Sequence, residues 1–262
     1  MEPKRIAVIG GGPGGCECAR VLALRGHTVT LFERQPRLGG ALIPASRAGF
    51  KHHDAALIAY YENELSRLGV DVRTGTAADA DCVAALSPDV VVVATGAHPN
   101  IPQIPGIDRA LTAEDALTDP SAVGQSAVIF GTGLVGVETA LWMLELGKAV
   151  TLIGRSDRFM PKALYSDAEH ARALLRFHGA TLMSETAVEE IGDGWVRVRR
   201  KGSAPEHLDA DTFICAAGYR SDDTVYQVMR AHFPIVYNIG DSAAARNIYA
   251  AVHEAYELAS NL

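Results

Sequence analysis

The residues with the most evident chemistry stand at the start of the chain. Gly10, Gly12 and Gly15 follow the apolar run Ile6-Ala7-Val8-Ile9 in the spacing G-x-G-x-x-G, with Pro13 and Gly14 between the last two. A short continuous apolar run of this kind suits a parallel strand buried on both faces. After such a strand Gly10 permits a tight turn, Gly12 lets the backbone approach a pyrophosphate, and Gly15 lets the next helix pack close. The N-terminus of that helix offers unpaired N–H groups and a partial positive charge to an anion. Residues 17–25 read as the helix, ended by Gly26, and Thr28–Phe32 as a second strand closing on Glu33. Glu33 lies 23 residues after Gly10, where an acid accepts hydrogen bonds from ribose hydroxyls.

The chain then repeats this unit. An offset of 121 lays residues 127–155 over 6–34 with ten of 29 positions identical, including Gly131, Gly133 and Gly136. Leu134 and Val135 take the places of Pro13 and Gly14, at the start of the second helix. Glu33 aligns with Gly154, and Arg155 and Ser156 follow. A site without the carboxylate and with a guanidinium suits a ribose carrying a 2′-phosphate, which an acid would repel and Arg can grip bidentately. The two copies are therefore expected to hold different nucleotides.

Weaker echoes follow each copy. Val90–Val93 runs into Ala94-Thr95-Gly96, and Phe213–Cys215 into Ala216-Ala217-Gly218. Small residues at a strand end let a loop lie against a ligand without side-chain obstruction. A last strand, residues 235–239, closes on Gly240-Asp241 and leads to a helix over about 247–260. Its N-terminus, near Arg246–Ile248, is placed to stabilise negative charge on a bound group.

Composition bounds the function. The chain has 262 residues, 24 Lys+Arg against 31 Asp+Glu, and a net charge of −7, and neither sign runs in blocks, which argues against nucleic acid as a partner. No apolar run approaches the roughly 20 residues of a membrane span. Four cysteines without a Cys-x-x-Cys fit a reducing compartment, the cytoplasm, and exclude a disulfide scaffold and a redox dithiol. Apolar residues make up 48% of the chain and aromatics only 6%, with 25 glycines, which suits alternating strands and helices joined by tight turns.

Fingerprint, Ala-Thr-Gly strand and terminal Gly-Asp strand, with a second fingerprint unit between them, resemble the two-dinucleotide-binding-domain flavoproteins over the whole chain. More narrowly, residues 26–34, Arg37-Leu38-Gly39-Gly40, Tyr60-Tyr61 to Val70, and Asn238–Asp241 through Arg246-Asn247-Ile248 to His253-Glu254 are similar to the C-terminal half of the 2,4-dienoyl-CoA reductase, 2-enoate reductase and trimethylamine dehydrogenase family. The resemblance implies an α/β fold of two Rossmann-like dinucleotide-binding domains, the second inserted into the first. Residues 1–122 and 231–262 would bind FAD, and 123–230 NADPH, with NADH as the other nicotinamide donor. It adds Arg34, Arg37, Gly40, Ala94, Thr95, Gly96, Gly240, Asp241 and Ile248 to the expected FAD contacts, and Arg155 and Gly218 to the nicotinamide nucleotide's. Hydride would pass to FAD and electrons onward to a partner subunit carrying the substrate site or to an external acceptor. No side chain is assigned as an acid or base.

Those relatives carry an N-terminal FMN barrel and a cysteine cluster for an iron–sulfur centre. Met1 stands five residues before the first strand, so the barrel is expected on a separate polypeptide, unless the chain is excised from a longer one or is a reductase in its own right. Two other readings stay open: an ADP-loaded, catalytically silent domain of a larger dehydrogenase, and a subunit of an amine- or opine-oxidising flavoenzyme.

The remaining features have plainer expectations. Residues 53–68 read as a helix and 70–74 as a strand; Ser166-Asp167-Ala168-Glu169 as a capping box opening a helix to about His178; 188–191 and 195–199 as a hairpin about Gly192-Asp193-Gly194. Pro99, Pro102 and Pro105 suit an extended interdomain connection. Cys16 and Cys18 are expected to pack, His52 and His53 to be solvated, and His253 to sit near the flavin in a packing or a proton-transfer role. Arg197, Arg199, Arg200 and Lys201 read as a solvated strand face or a docking patch.

Overall fold

The computed structural model describes residues 2–262; Met1 lies outside them. The chain divides into two compact units, one of Met1–Ser46, Lys51–His98 and Tyr219–Leu262, the other of Arg47–Phe50 and Pro99–Gly218. The divisions fall before Pro99 and after Gly218, earlier than the expected 122/123 and 230/231. The reason is strand pairing and packing. Leu111–Thr112, a two-residue strand, pairs with Ile214 and Cys215, which draws the segment ahead of residue 123 into the second unit. Met229 of the helix Thr224–His232 is buried against Val91 and Val93, which draws the segment after 218 into the first.

The first unit is built on five parallel strands in the spatial order Val236–Asn238, Val90–Val93, Arg5–Ile9, Thr28–Phe32 and Asp71–Arg73. Four consecutive valines at 90–93 are buried on both faces, as are Ile6 to Ile9, and apolar cores lie on the two faces: Val8, Leu31 and Val92 with the helices Pro13–Leu24 and Ile248–Asn261 on one, Ala7, Phe32 and Val91 with Val83 and Met229 on the other. Each buried Val, Leu, Phe or Met among these contributes roughly 1.5–3 kcal/mol relative to an exposed one. The small residues Ala251, Ala255 and Ala259, four apart on one helix face, let the last helix lie closely on the first.

In the second unit the parallel order is the same: Leu111–Thr112, Thr212–Cys215, Ser126–Phe130, Ala149–Ile153 and Thr181–Met183. These are Rossmann-like parallel α/β sheets. A separate antiparallel sheet holds the hairpin Thr186–Ile191 and Trp195–Arg200, joined by a third strand, Glu206–Asp209, whose polar sequence hid it.

Two local expectations are corrected. The helix after the first fingerprint starts at Pro13, not Glu17, because Pro13 at its first position needs no N–H partner. The helix Tyr165–Phe177 is capped by Leu164 without a side-chain bond; Ser166 sits inside the helix with its hydroxyl on Asp167, and Glu169 pairs with Arg172, so no capping box forms.

Candidate functional site

Each parallel sheet carries a glycine turn at the carboxyl end of its central strand, Arg5–Ile9 in one and Ser126–Phe130 in the other, and the two turns have the same geometry. Gly10 and Gly131 adopt φ of 111° and 119°. A Cβ on either would lie 2.3 Å from the Ala94 carbonyl oxygen or 2.1 Å from that of Ala216. Neighbouring strand ends thus press on the turn, and only glycine fits. Gly15 and Gly136 face the same restriction, 1.9 and 1.8 Å from the carbonyl oxygens of Gly10 and Gly131. Gly12 and Gly133 differ: they cap their helices at φ −73°, ψ −179° and φ −73°, ψ −178°, and a Cβ on either would meet nothing within 4 Å. Packing does not require these two glycines, and open space stands before each helix N-terminus. Neither helix has an acid in its first turn, so the unpaired N–H groups there favour an anion. Leu134 is exposed and Val135 partly buried at the second of these ends.

The acid of the first copy is already engaged. Glu33 is 6% exposed, and its two carboxylate oxygens accept N–H bonds of 2.7 Å from Gly11 and 2.7 Å from Gln35. The loop after it folds back onto the fingerprint: the Gly39 N–H donates to the Gly11 carbonyl at 2.8 Å, and a Cβ on Gly40 would lie 3.1 Å from the Gly12 Cα. Arg34 and Arg37 are exposed on this loop. Ala94 is buried in the turn, whereas Thr95 and Gly96 lie beyond it, with Gly96 at φ 82° facing open space.

The chain's last segment reaches the same turn. Ala251 lies 3.4 Å (carbonyl oxygen) from a Cβ on Gly14 and 3.5 Å (Cβ) from one on Gly240, ordinary contact distances that bring the last helix against both glycines. Asp241 accepts the Arg246 N–H at 2.9 Å, and Asn247 caps the last helix by accepting the Ala250 N–H at 2.8 Å. Ile248 opens that helix and is exposed. Glu254 accepts the Gly240 N–H at 2.9 Å and also pairs with Arg246. Its bracing role went unread in the sequence; an acid two turns into a helix that follows a Gly-Asp strand is the signal that could have found it.

The equivalence of the copies runs further than the sequence identity. At the same offset of 121, Leu38 and Phe159 are both buried, and Met160, like Gly39, has positive φ and donates its N–H to the middle residue of its turn, Thr132, at 2.7 Å. Arg155 is exposed. The Gly218 carbonyl accepts the Asn100 N–H at 2.8 Å, and a Cβ there would meet open space.

Other candidates fall away. Cys16 and Cys18 are buried, with the Cys16 thiol donating to the Gly11 carbonyl at 3.2 Å. Burial pushes the Cys18 thiol up to about 12 and the Cys16 thiol higher, the Glu33 charge adding to the latter. His52 and His53 are exposed at a helix start, and His253 is exposed against Tyr249, with ring centroids 4.0 Å apart. Arg197 and Arg199 are matched by Glu189 and Glu190, and Lys201 by Glu185. Among the described residues no cluster of His, Cys, Asp and Glu suits a metal ion, and no helix is long and apolar enough to cross a membrane.

A model of the pyridine nucleotide-disulphide oxidoreductase family matches residues 5–259. Cinnamate reductase of Clostridium sporogenes is 35% identical over 99% of this chain and 39% of its own length. A metal reductase of Desulforamulus reducens is 35% identical over 97% of this chain and 43% of its own. A solved structure of 2-naphthoyl-CoA reductase with 2-naphthoyl-CoA superposes with a TM-score of 0.94 at 30% identity, covering all of this chain and 40% of that one. The chain therefore spans about two fifths of the length of these relatives.

Proposed function

The chain belongs to the pyridine nucleotide-disulphide oxidoreductase family and is the FAD- and NAD(P)H-binding part of a flavoprotein oxidoreductase of the 2-enoate reductase and trimethylamine dehydrogenase group; from that premise we propose that its first unit holds FAD and its second, an insert in the first, holds NADPH. The observation that carries this reading is the pair of open, acid-free helix N-termini at Gly12 and Gly133, each where an added Cβ meets nothing. Such a place fits the pyrophosphate both nucleotides carry.

In the first unit the backbone of Gly10, Gly12, Pro13, Gly14 and Gly15 would cradle the pyrophosphate, with Glu33 on the adenosine ribose. Arg34, Arg37, Gly40, Ala94, Thr95 and Gly96 would line the site, and Gly240, Asp241 and Ile248 would close its flavin end. Residues Gly131, Gly133, Leu134, Val135, Gly136, Arg155 and Gly218 would serve NADPH. Bound FAD supplies the hydride acceptor for NAD(P)H and a way of passing electrons on. The protein's own work is to hold, orient and charge-match, and none of its side chains need move a proton. The last helix N-terminus, capped by Asn247 and near a loop braced by Glu254, would offer its remaining N–H groups to negative charge on the bound flavin.

Electrons would leave to a partner subunit carrying the substrate site or to an external acceptor. The cytoplasm, with its reduced thiols, is the matching compartment. The test is to load the purified protein with FAD and add NADPH without oxygen: retained flavin absorbance that bleaches supports the reading, and a protein that keeps no flavin sinks it.

A further inference from the structure

The two fingerprint turns differ at a pair of positions that touch. In the first unit the middle residue of the turn is Gly11 and the residue ending the second strand is Glu33; at the offset of 121 these become Thr132 and Gly154. Glycine and side chain have exchanged places. A Cβ on Gly11 would lie 2.6 Å from the Leu38 Cδ2 and 3.0 Å from the Glu33 Cβ and Oε2, and one on Gly154 would lie 2.5 Å from both the Cγ2 and the Oγ1 of Thr132. Each unit thus has room for one side chain here, supplied from the strand end in the first and from the turn in the second.

We infer that Thr132 is a specificity-determining residue for the nicotinamide nucleotide: its side chain fills the space that a strand-end carboxylate needs, and so bars an acid from position 154. The inference rests on the reading of the second unit as the NADPH site. Neither partner can retreat. Thr132 is 7% exposed and β-branched, hence stiff at χ1, and its carbonyl accepts the Met160 N–H at 2.7 Å. Gly154 donates its N–H to Met183 at 2.9 Å and accepts that of Thr186 at 2.8 Å. With the acid barred, the loop behind the strand carries Arg155, Arg158 and Lys162 against Asp157, a net positive surface that favours a ribose bearing a phosphate over one bearing a bare 2′-hydroxyl. Exclusion of the acid is then a property of two residues, Thr132 and Gly154, and placing a carboxylate at position 154 alone should not reverse the nucleotide preference.

Four forms of the FAD-loaded protein test this: wild type, Gly154→Glu, Thr132→Gly, and the double variant. NADP+ and NAD+ binding is read by titration calorimetry, and folding by melting temperature. Gly154→Glu should melt well below wild type and lose about tenfold or more in affinity for both nucleotides. The double variant should recover the melting temperature and bind NAD+ more tightly than NADP+, a change of about tenfold or more in the ratio, the worth of one hydrogen bond to a charged acceptor. Thr132→Gly should still prefer NADP+. A Gly154→Glu protein that melts with wild type, or that turns to NAD+ unaided, would overturn the role of Thr132, as would a double variant no better than the single one. Wild type that binds neither nucleotide would overturn the NADPH reading itself and this inference with it; the melting comparison tests the steric part separately.

Discussion

The Gly10 carbonyl oxygen stands 1.9 Å from where a Cβ on Gly15 would be, while a Cβ on Gly12, between them, would meet nothing. The first and third fingerprint glycines are therefore demanded by the fold, whereas packing leaves the second free to vary; under the proposed function it is the pyrophosphate that would need a glycine there. Gly15→Ala should cost about 3 kcal/mol or more of stability. Gly12→Ala should cost about 1 kcal/mol or less while abolishing FAD retention. Urea unfolding of the flavin-free protein, set beside flavin absorbance after loading, separates the two effects.

Glu33 has both oxygens committed to backbone N–H groups. Glu33→Ala should weaken FAD binding by about 1.5–3 kcal/mol. Glu33→Gln, though isosteric, should also weaken it, since its NH2 would face an N–H of Gly11 or Gln35 in place of an acceptor. Recovery of free-FAD fluorescence on dilution reads both, and a Gln variant equal to wild type would refute the argument.

Arg155 should set affinity for the 2′-phosphate. Arg155→Glu is expected to raise the dissociation constant for NADP+ about tenfold or more, through loss of a charge-assisted pair and gain of repulsion, with a smaller change for NAD+. Equal effects on the two nucleotides would show that Arg155 does not touch the phosphate.

Buried thiols give stability a pH dependence of known sign. Burial holds Cys18 protonated up to about 12 and Cys16 beyond that, whereas in the unfolded chain thiols ionise near ~8.5. Their contribution is thus complete below about 8.5 and declines as pH rises from there toward about 12 for Cys18, by up to ~1.4 kcal/mol per pH unit for each thiol. Urea midpoints should fall between about pH 8 and about pH 10, and less steeply in Cys18→Ala. A parallel decline in the variant would rule Cys18 out as a source.

The isolated chain should oxidise NADPH with dyes or quinones as acceptors but should not reduce enoyl thioesters or demethylate amines. Turnover of such a substrate by the homogeneous protein would mean a complete substrate site lies within it, and the partner subunit would have to be abandoned.

Much of this was legible because backbone constraint writes itself in residue type. Gly10, Gly15, Gly131 and Gly136 each stand where a Cβ collides with a carbonyl, and the runs Ile6–Ile9 and Val90–Val93 announce strands buried on both faces. The repeat ceased to be visible after Arg34 and Arg155 because Leu38 became Phe159 and Gly39 became Met160: the burial and the turn persisted while the residue types changed. The exchange of Thr132 for a side chain at position 154 was likewise hidden, since a contact between residues 22 apart shows only in space. The division into compact units differs from the expected limits for a similar reason. A two-residue strand, Leu111–Thr112, has no periodicity to read, and its pairing with Ile214 and Cys215 is wholly non-local.

The parallel pairing of Val236 with Val91 bears on how the chain assembles. On a ribosome the second unit emerges as one nearly unbroken stretch and can close its own sheet early. The first unit has to wait: its edge strand, and the alanine-lined helix that covers the opening fingerprint, are made only after the second unit. Until then the valine-rich strand Val90–Val93 lacks its edge partner, making the first unit the slow, aggregation-exposed step of biosynthesis.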